Sequence, residues 1–499
     1  MTNLKGKISE KKLDTLIRIG LILTVIWAAL GCSPNLISRA CPGRDSSVFI
    51  TIAKGMHNGL VPYRDFFDHK GPLLYFINYV GLMFKSMLGI WFIELVFLSV
   101  TMFFCYKVAL LFSEKKAAFI SAVFSFVLLA YQFEGGNLSE EYAMPFIALS
   151  LYLFLKAFKE EKDLSIMNTI LIGMSFGAIL MLRPNMIGVW AGFSCVIVIS
   201  KFYKKDFKNA FSYILFFALG TIVLVTPFLV YLYSNNALND FIAQYLLFNS
   251  KYATRGSLLA RETVFFNFLS SGLVWVALLS AILPFVVMNG KRIEKNLKIG
   301  IAYALSIVFS LILISFSRSY YPHYSMVLIP LIVPALSYFS QIILKTQKSL
   351  CFLVLIFVLA FCSSAYSFFR LPISVLIPNK QDIFYISDAI LKNTKPDDKI
   401  TVLGNTCQFY YYSRASVSKY IYQLPIGNID TSIMREYETD IFENKPAVIV
   451  AARDQIIRNP DDGTYLLNKP FDKLSDFVSA QYEEIYSEYG WVLMKRIEQ

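Results

Sequence analysis

Charge is scarce in this chain: Asp, Glu, Lys and Arg make up 16% of its 499 residues, against about 25% in an ordinary soluble domain. That deficit excludes a wholly soluble protein. Histidine is scarcer still, at three residues, so a histidine-built metal site would require His69 and His323 to converge with a carboxylate. The seven cysteines (32, 41, 105, 195, 351, 362 and 407) show neither metal-type nor paired spacing. Most fall inside apolar runs, where a cysteine acts as a small apolar residue. Cys41 and Cys407 fall on the same side of the predicted topology, which alone is too little for a disulfide. There is no P-loop and no Gly-x-Gly-x-x-Gly between strand and helix, so nucleotide-binding signatures are absent. No small-residue cleavage site follows the first apolar run, which therefore reads as a retained span. No internal repeat and no low-complexity linker is found.

Apolar residues are abundant, 56% of the chain, with a mean hydropathy of +0.53. Runs of about 18 or more apolar residues recur, each long enough to cross a hydrocarbon core of roughly 30 Å. They predict about eleven spans: Leu13–Leu30, then 90–112, 117–132, 142–158, 165–182, 185–203, 209–233, 264–288, 298–317, 322–342 and 349–370. The net charge of +12 does not point to nucleic acid, because the basic residues cluster in short loops between spans. Lys115/Lys116, Lys159/Lys162, Lys204/Lys205/Lys208, Lys291/Arg292/Lys295/Lys298 and Lys345/Lys348 share one side with the Lys-rich residues 1–12. The positive-inside rule makes that side cytoplasmic. Residues 72–88 are apolar but short, and broken by Asn78, Gly81 and Lys85. If they crossed, every later basic loop would be inverted, so they are expected to lie in the outer interface.

The domain reading is a cytoplasmic tail at 1–12, a membrane domain at 13–370 whose first outer loop spans 32–89, and a small extracytoplasmic α/β domain at 371–499. In the last, 399–404, 447–451 and 491–495 read as strands and 473–481 as a helix. The longer outer loop at 235–262, with Tyr245, Phe248 and Tyr252 beside Lys251 and Arg255, is expected to lie on the membrane surface.

Five groups on the outer side could carry chemistry. Asp45 begins a short amphipathic helix after the first span. At a membrane surface such a carboxylate suits general-base work, and it equally suits an N-cap. Asp68, His69 and Lys70 precede Gly71-Pro72; the lysine can meet a phosphate as a point charge or snorkel as an anchor. In Glu-Gly-Gly-Asn-Leu-Ser-Glu-Glu-Tyr at 134–142, Glu140 and Glu141 offer carboxylates over the outer face, or an acidic first turn capped by Ser139. Arg183 closes one span before Pro184 opens the next, as a functional cation or as a turn with a snorkelling side chain. Arg318 and His323 could face a phosphate.

Arg44-Asp45, the run Gly59 to Tyr75 (GLVPYRDFFDHKGPLLY), Ser-Glu-Glu-Tyr at 139–142, Arg-Pro-Asn at 183–185 and Pro-His-Tyr at 322–324 occur in an order that resembles the multi-spanning GT-C glycosyltransferases. The similarity is to the protein O-mannosyltransferase and aminoarabinose transferase group and covers about residues 13–340, with 59–75 its most specific part. The resemblance implies inverting transfer of a sugar from a polyprenyl-phosphate carrier to an acceptor outside the cytoplasm. It gives Asp45 and Glu140 the catalytic roles. Lys70, His323, Arg318 and Arg183 would receive the donor phosphate or lipid, while Asp68, His69 and Glu141 would serve an acceptor or a metal. Mannosyltransferases commonly carry Asp-Glu in the first loop, where this chain has Asp45-Ser46. Aminoarabinose transferases carry Glu beside the interfacial lysine, where this chain has His69. Both departures leave the donor sugar and any divalent metal open.

The expected protein is therefore an α-helical polytopic membrane glycosyltransferase of the cell envelope. Its partners would be a polyprenyl-phosphate sugar, a glycan, lipid or protein acceptor, and membrane lipids, with no nucleic acid. The rival readings are a lipid-linked glycan flippase and an inactive scaffold of envelope assembly. A transporter calls for charges near the midplane of its spans, whereas Glu94 and Lys107 lie toward the ends of one span.

Overall fold

The computed structural model describes residues 10–33, 35, 41–84, 86–254, 271–286, 293–315, 321–345, 365–370, 381–422, 431–460 and 463–497. The chain forms two compact units. One comprises Met1–Ile37, Ile90–Val230 and Ala253–Leu376; the other comprises Ser38–Gly89, Tyr231–Tyr252 and Ile377–Gln499.

The first unit is helical. Glu10–Ala29, Leu88–Phe112, Lys115–Leu129, Ser139–Glu160, Ile166–Leu182, Gly188–Tyr203, Phe207–Ser234, Gly272–Val286, Ile293–Ser315 and Ile329–Lys345 occupy the expected segments. The last expected span, 349–370, lies mostly outside the described residues. Among the described residues, six stretches are long and apolar enough to cross a bilayer by themselves: Leu88–Phe112, Lys115–Gln132, Ser139–Glu160, Phe207–Ser234, Leu297–Ser315 and Pro322–Lys345. Phe207–Ser234, with 28 residues, is about 42 Å long at 1.5 Å per residue. It exposes Phe211, Leu215, Ile222 and Val230, the surface a helix offers to lipid rather than to water. In contrast, Ile329–Lys345 buries Leu331, Ile332 and Val333 completely.

Helices approach closely where small residues face each other. A Cβ added to Gly192 would lie 2.4 Å from the backbone nitrogen of Ser306, and one added to Gly188 would lie 2.6 Å from that of Ser310. The Ser306 hydroxyl donates to Ala302 O at 2.8 Å within its own helix. Such small-residue seams let backbones gain dispersion contacts where lipid removes the hydrophobic drive for association.

The second unit is mixed. Arg44–His57 is the expected amphipathic helix, burying Ile50, Ile52 and Ala53. Pro72–Leu82 has 11 residues, about 16 Å, too short to cross a bilayer, as the charge pattern required. The segment after Phe207–Ser234 departs from expectation. Leu238–Phe241 runs into a π-helical turn, Ile242–Phe248, and then Asn249–Thr254. Tyr245 and Phe248 are buried, stacking on Phe241 and packing edge-on to Phe67, while Leu246 and Leu247 are exposed. The aromatic residues expected on a surface belong instead to a core, because the wide turn rotates them inward. Arg255 lies outside the described residues.

Seven strands follow among the described residues: β1 Lys399–Leu403, β2 Ala415–Ser416, β3 Val448–Ala452, β4 Ile456–Arg458, β5 Tyr465–Leu467, β6 Tyr482–Glu488 and β7 Trp491–Arg496. The main sheet runs β2-β1-β3-β7-β6, and β4 pairs with β5 apart from it. β1 is parallel to both neighbours, whereas β3–β7 and β7–β6 are antiparallel. β1 and β3 are apolar runs because interior strands are covered on both faces. The expected helix at 473–481 is Ser475–Gln481. Phe67 and Phe248 enter the same core as Leu403, Tyr420, Tyr437, Ile449 and Phe471. The loop after Arg44–His57 is thus packed with the sheet, and Phe67 N–H donates to Lys419 O at 2.9 Å. Cys41 and Cys407 are not joined in a disulfide.

Candidate functional site

The residues singled out from sequence are divided between the units. Asp45, Asp68, His69 and Lys70 belong to the second; Glu140, Glu141, Arg183 and His323 belong to the first. Arg318 lies outside the described residues.

In the second unit Asp45 is not the N-cap. Gly43 holds that position without a side-chain cap bond, and the helix opens at Arg44. One residue of earlier onset places Asp45 in the first turn, exposed, where a carboxylate faces the unpaired amides at the positive end of the helix. It is not desolvated by the protein. Asp68, in contrast, is 3% exposed. Its Oδ1 accepts from the Tyr422 hydroxyl at 2.8 Å and from the His69 amide at 2.7 Å, and its Oδ2 accepts from the Tyr75 hydroxyl at 2.7 Å. Burial pushes the Asp68 carboxyl above the usual range, outweighing Tyr75, Lys70, Tyr422 and the His69 amide, which all favour its charge. Burial and Asp68 together push the Tyr422 phenol well up, so it remains a donor.

This knot fixes the backbone on either side. Tyr63 and Tyr75 both donate to Lys70 O, at 2.7 and 3.2 Å. Gln244, carried inward by the π-helical turn, accepts from the Asp68 amide at 3.2 Å and donates to Tyr63 O at 2.7 Å. The imidazole of His69 lies edge-on to Phe248, and Asn249 donates to His69 O at 2.7 Å. Lys70 is 8% exposed, yet its ammonium makes no hydrogen bond or ion pair among the described residues. The charge it faces is that of Asp68, which it helps to hold ionised.

In the first unit the turn Glu134, Gly135, Gly136, Asn137 has φ of 43°, 91°, 78° and 55°, left-handed values that Gly and Asn accept most readily. Ser33 N–H donates to Gly135 O at 2.7 Å, and the Tyr142 hydroxyl donates to Asn137 Oδ1 at 2.8 Å. Leu138, not Ser139, precedes the helix. Ser139 is the first helical residue, and its hydroxyl donates to Glu140 Oε2 at 2.7 Å. The other oxygen of Glu140 receives the Arg183 guanidinium, which lies 4.1 Å over the Tyr324 ring. Arg183 is therefore an internal partner rather than a snorkelling side chain. His323, 3% exposed, engages Glu134 Oε2 through Nδ1 at 2.9 Å and stacks on Tyr321.

Glu141 points elsewhere than Glu140. It meets Glu94 and Cys32, one ligand-capable atom of each lying within 4.8 Å of the others. This is the one group of three such side chains that close among the described residues, and it contains neither His69 nor Asp68. Tyr75, Tyr422, Glu134, Cys32 and Glu94 were all missed as site residues. No local signal marks them, since Asp68 and Tyr422 are 354 residues apart.

The family model described as "Putative competence-induced protein Ccs4 N-terminal domain" matches residues 5–347. No curated protein matches the chain. Among solved structures, ArnT from Cupriavidus metallidurans bound to undecaprenyl phosphate aligns with a TM-score of 0.60 at 16% identity, covering 98% of this chain and 99% of that one. The oligosaccharyltransferase AglB from Archaeoglobus fulgidus, in complex with an inhibitory peptide and a dolichol-phosphate, gives 0.54 at 12%, covering 95% and 80%. An Archaeoglobus fulgidus oligosaccharyltransferase in complex with Zn and sulfate gives 0.52 at 14%, covering 87% and 68%. The fold is shared with ArnT and AglB, with a small sheet domain at the C-terminus, in keeping with the sequence resemblance. The protein is a multi-pass membrane protein.

Proposed function

The chain belongs to that competence-induced Ccs4 N-terminal domain family, and from its likeness to ArnT and AglB we propose that it is an inverting membrane glycosyltransferase. It takes a hexosyl or pentosyl group from a polyprenyl-phosphate donor and passes it to a glycan, lipid or protein of the cell envelope. The observation that carries the reading is Lys70, a shielded ammonium that makes no hydrogen bond or ion pair among the described residues and feels only the field of Asp68, on a loop tied down by that carboxylate. The lipid phosphates named with ArnT and AglB supply the ligand class. The basic loops support an N-terminus in the cytoplasm and a sheet domain outside it.

Each residue then has a task. Asp45 takes the proton of the acceptor hydroxyl, whose oxygen forms a bond to the anomeric carbon from the face opposite the phosphate. The bond from that carbon to the phosphate oxygen breaks, and polyprenyl phosphate leaves with the electron pair. Lys70 meets the growing negative charge on that phosphate, while in the first unit His323 keeps Nε2 for an anion after Glu134 takes Nδ1. Arg183 holds Glu140 to orient the acceptor or the donor sugar. Polyprenyl phosphate is a competent leaving group, so positioning and charge stabilisation carry most of the rate. Asp68 is given no proton-transfer step, since both its oxygens are occupied.

The test is mass spectrometry of lipid-linked sugars in cells lacking the protein and in cells carrying Asp45→Asn. Accumulation of one polyprenyl-phosphate sugar in both strains, on the outer leaflet, supports the transferase and names its donor. Normal levels in the Asp45→Asn strain remove Asp45 from the mechanism. If the deletion strain then accumulates donor on the cytoplasmic side, the protein is a flippase.

A further inference from the structure

Three side chains that the transfer reaction does not use meet inside the first unit. Cys32 follows the Glu10–Ala29 helix, Glu94 lies in Leu88–Phe112, and Glu141 sits in the first turn of Ser139–Glu160. Cys32 and Glu141 are fully buried, and Glu94 is 1% exposed. Oε1 of Glu94 and both carboxylate oxygens of Glu141 make no hydrogen bond of good geometry; only the Cys32 thiol and the Asn137 amide approach Glu94, and the Leu138 and Asn137 amides approach Glu141. Elsewhere the unit saturates its buried carboxylate, as Ser139 and Arg183 do for Glu140. Unmatched buried acceptors are costly unless a proton or a cation joins them.

The donor set favours a cation of a particular kind. A thiol with two carboxylates is foreign to magnesium and calcium, which take oxygen ligands, and matches zinc and its neighbours. Tetrahedral bonds of zinc to sulfur and oxygen hold those ligand atoms roughly 3.6 Å apart. Atoms already within 4.8 Å of one another reach that spacing by small side-chain rotations. The loop above is shaped to the cluster: a Cβ at Gly136 would lie 2.5 Å from Glu94 Oε1 and 2.9 Å from Cys32 Sγ. Glycine there leaves the polar atoms the room that any side chain would take.

We propose that Cys32, Glu94 and Glu141 bind one divalent cation of the zinc class, which pins the first turn of Ser139–Glu160 and so positions Glu140. The site needs no substrate, and its test is independent of the transferase reading. The full-length protein is purified in detergent, stripped with a chelator and reloaded with Zn²⁺ or Co²⁺. About one zinc per chain is expected by elemental mass spectrometry. The cobalt form should show thiolate charge-transfer absorption. Cys32→Ser should abolish that absorption, and Glu94→Gln and Glu141→Gln should weaken zinc binding. Cys105→Ala, a buried thiol elsewhere, should retain both signals. Zinc should raise the melting temperature of the wild type but not of Cys32→Ser. The proposal falls if the wild type holds no more zinc than the triple variant, or if the cobalt–thiolate band survives Cys32→Ser. Should Cys32→Ser fail to fold, absence of the band in the wild type refutes the site, and its loss in Glu141→Gln supports it.

Discussion

Removing one hydroxyl from the second unit should loosen the loop that carries Lys70. Tyr422→Phe deletes the donor that meets Asp68 Oδ1 at 2.8 Å while keeping the ring. A hydrogen bond to a charged group contributes about 1.5–3 kcal/mol, and the remaining acceptor is buried, so a loss of about 2 kcal/mol is expected. For a unit of this size that is a fall of roughly 4–8 °C in melting temperature. In an Asp68→Asn background the acceptor is neutral and the same deletion should cost only about 1 kcal/mol, leaving a coupling of about 1 kcal/mol. Thermal unfolding of the four proteins in detergent measures the cycle. Hydrogen exchange across residues 63–75 should quicken in Tyr422→Phe, and KM for the lipid donor should rise more than kcat falls. Melting within 1 °C of the wild type, or equal losses in both backgrounds, would refute the view that Asp68 and Tyr422 hold this loop.

Further outcomes follow from other contacts. Arg183→Met leaves Glu140, its side chain 3% exposed, without its ionic partner and should cost about 3–5 kcal/mol; adding Glu140→Gln should recover much of it, and additive losses would show that the pair is not coupled. Because burial raises the folded-state pKa of Asp68, its stabilising contribution is complete below the usual carboxylate pKa and is lost as pH rises through the raised value. The melting temperature of Asp68→Asn, measured from pH 4 to 8, should therefore gain on the wild type as pH increases; a constant difference would contradict the shift. Gly192→Leu should prevent stable assembly, since even its Cβ would lie 2.4 Å from the Ser306 backbone, whereas Gly272→Ala meets nothing within 4 Å and should melt with the wild type.

Hydropathy and loop charge located the helices because a bilayer imposes length and polarity on each span independently of its neighbours. The short Pro72–Leu82 helix was legible for the same reason, through the basic loops that follow it. β1, β3 and β7 announced themselves as apolar runs. β6 did not, since Tyr482–Glu488 is an edge strand whose Glu483, Glu484 and Glu488 face solvent and serve to discourage further pairing. The aromatic residues at 245 and 248 misled because a π-helical turn changes which side chains share a face. Candidate residues Asp68, Glu140, Arg183 and His323 stood out by type, but how they pair did not. Tyr422 reaches Asp68, Arg183 reaches Glu140 and Glu134 reaches His323 across the fold, and tertiary pairing leaves no periodic trace. Cys32 and Glu94 were hidden for a different reason: within or beside an apolar run, a cysteine and a lone glutamate look like isolated exceptions until three helices bring them together.

The turn at Glu134–Asn137 bears on how the protein can change over generations. Four successive left-handed residues admit few side chains, and at Gly136 even a methyl group collides with Glu94 and Cys32. A substrate-facing carboxylate can be exchanged at the expense of activity, whereas this turn must first exist for Glu140 and Glu141 to diverge from adjacent positions. In a saturation library, residues 135–137 should consequently be among the least permissive positions of the first unit, whereas the exposed turn around Asp45 should tolerate more.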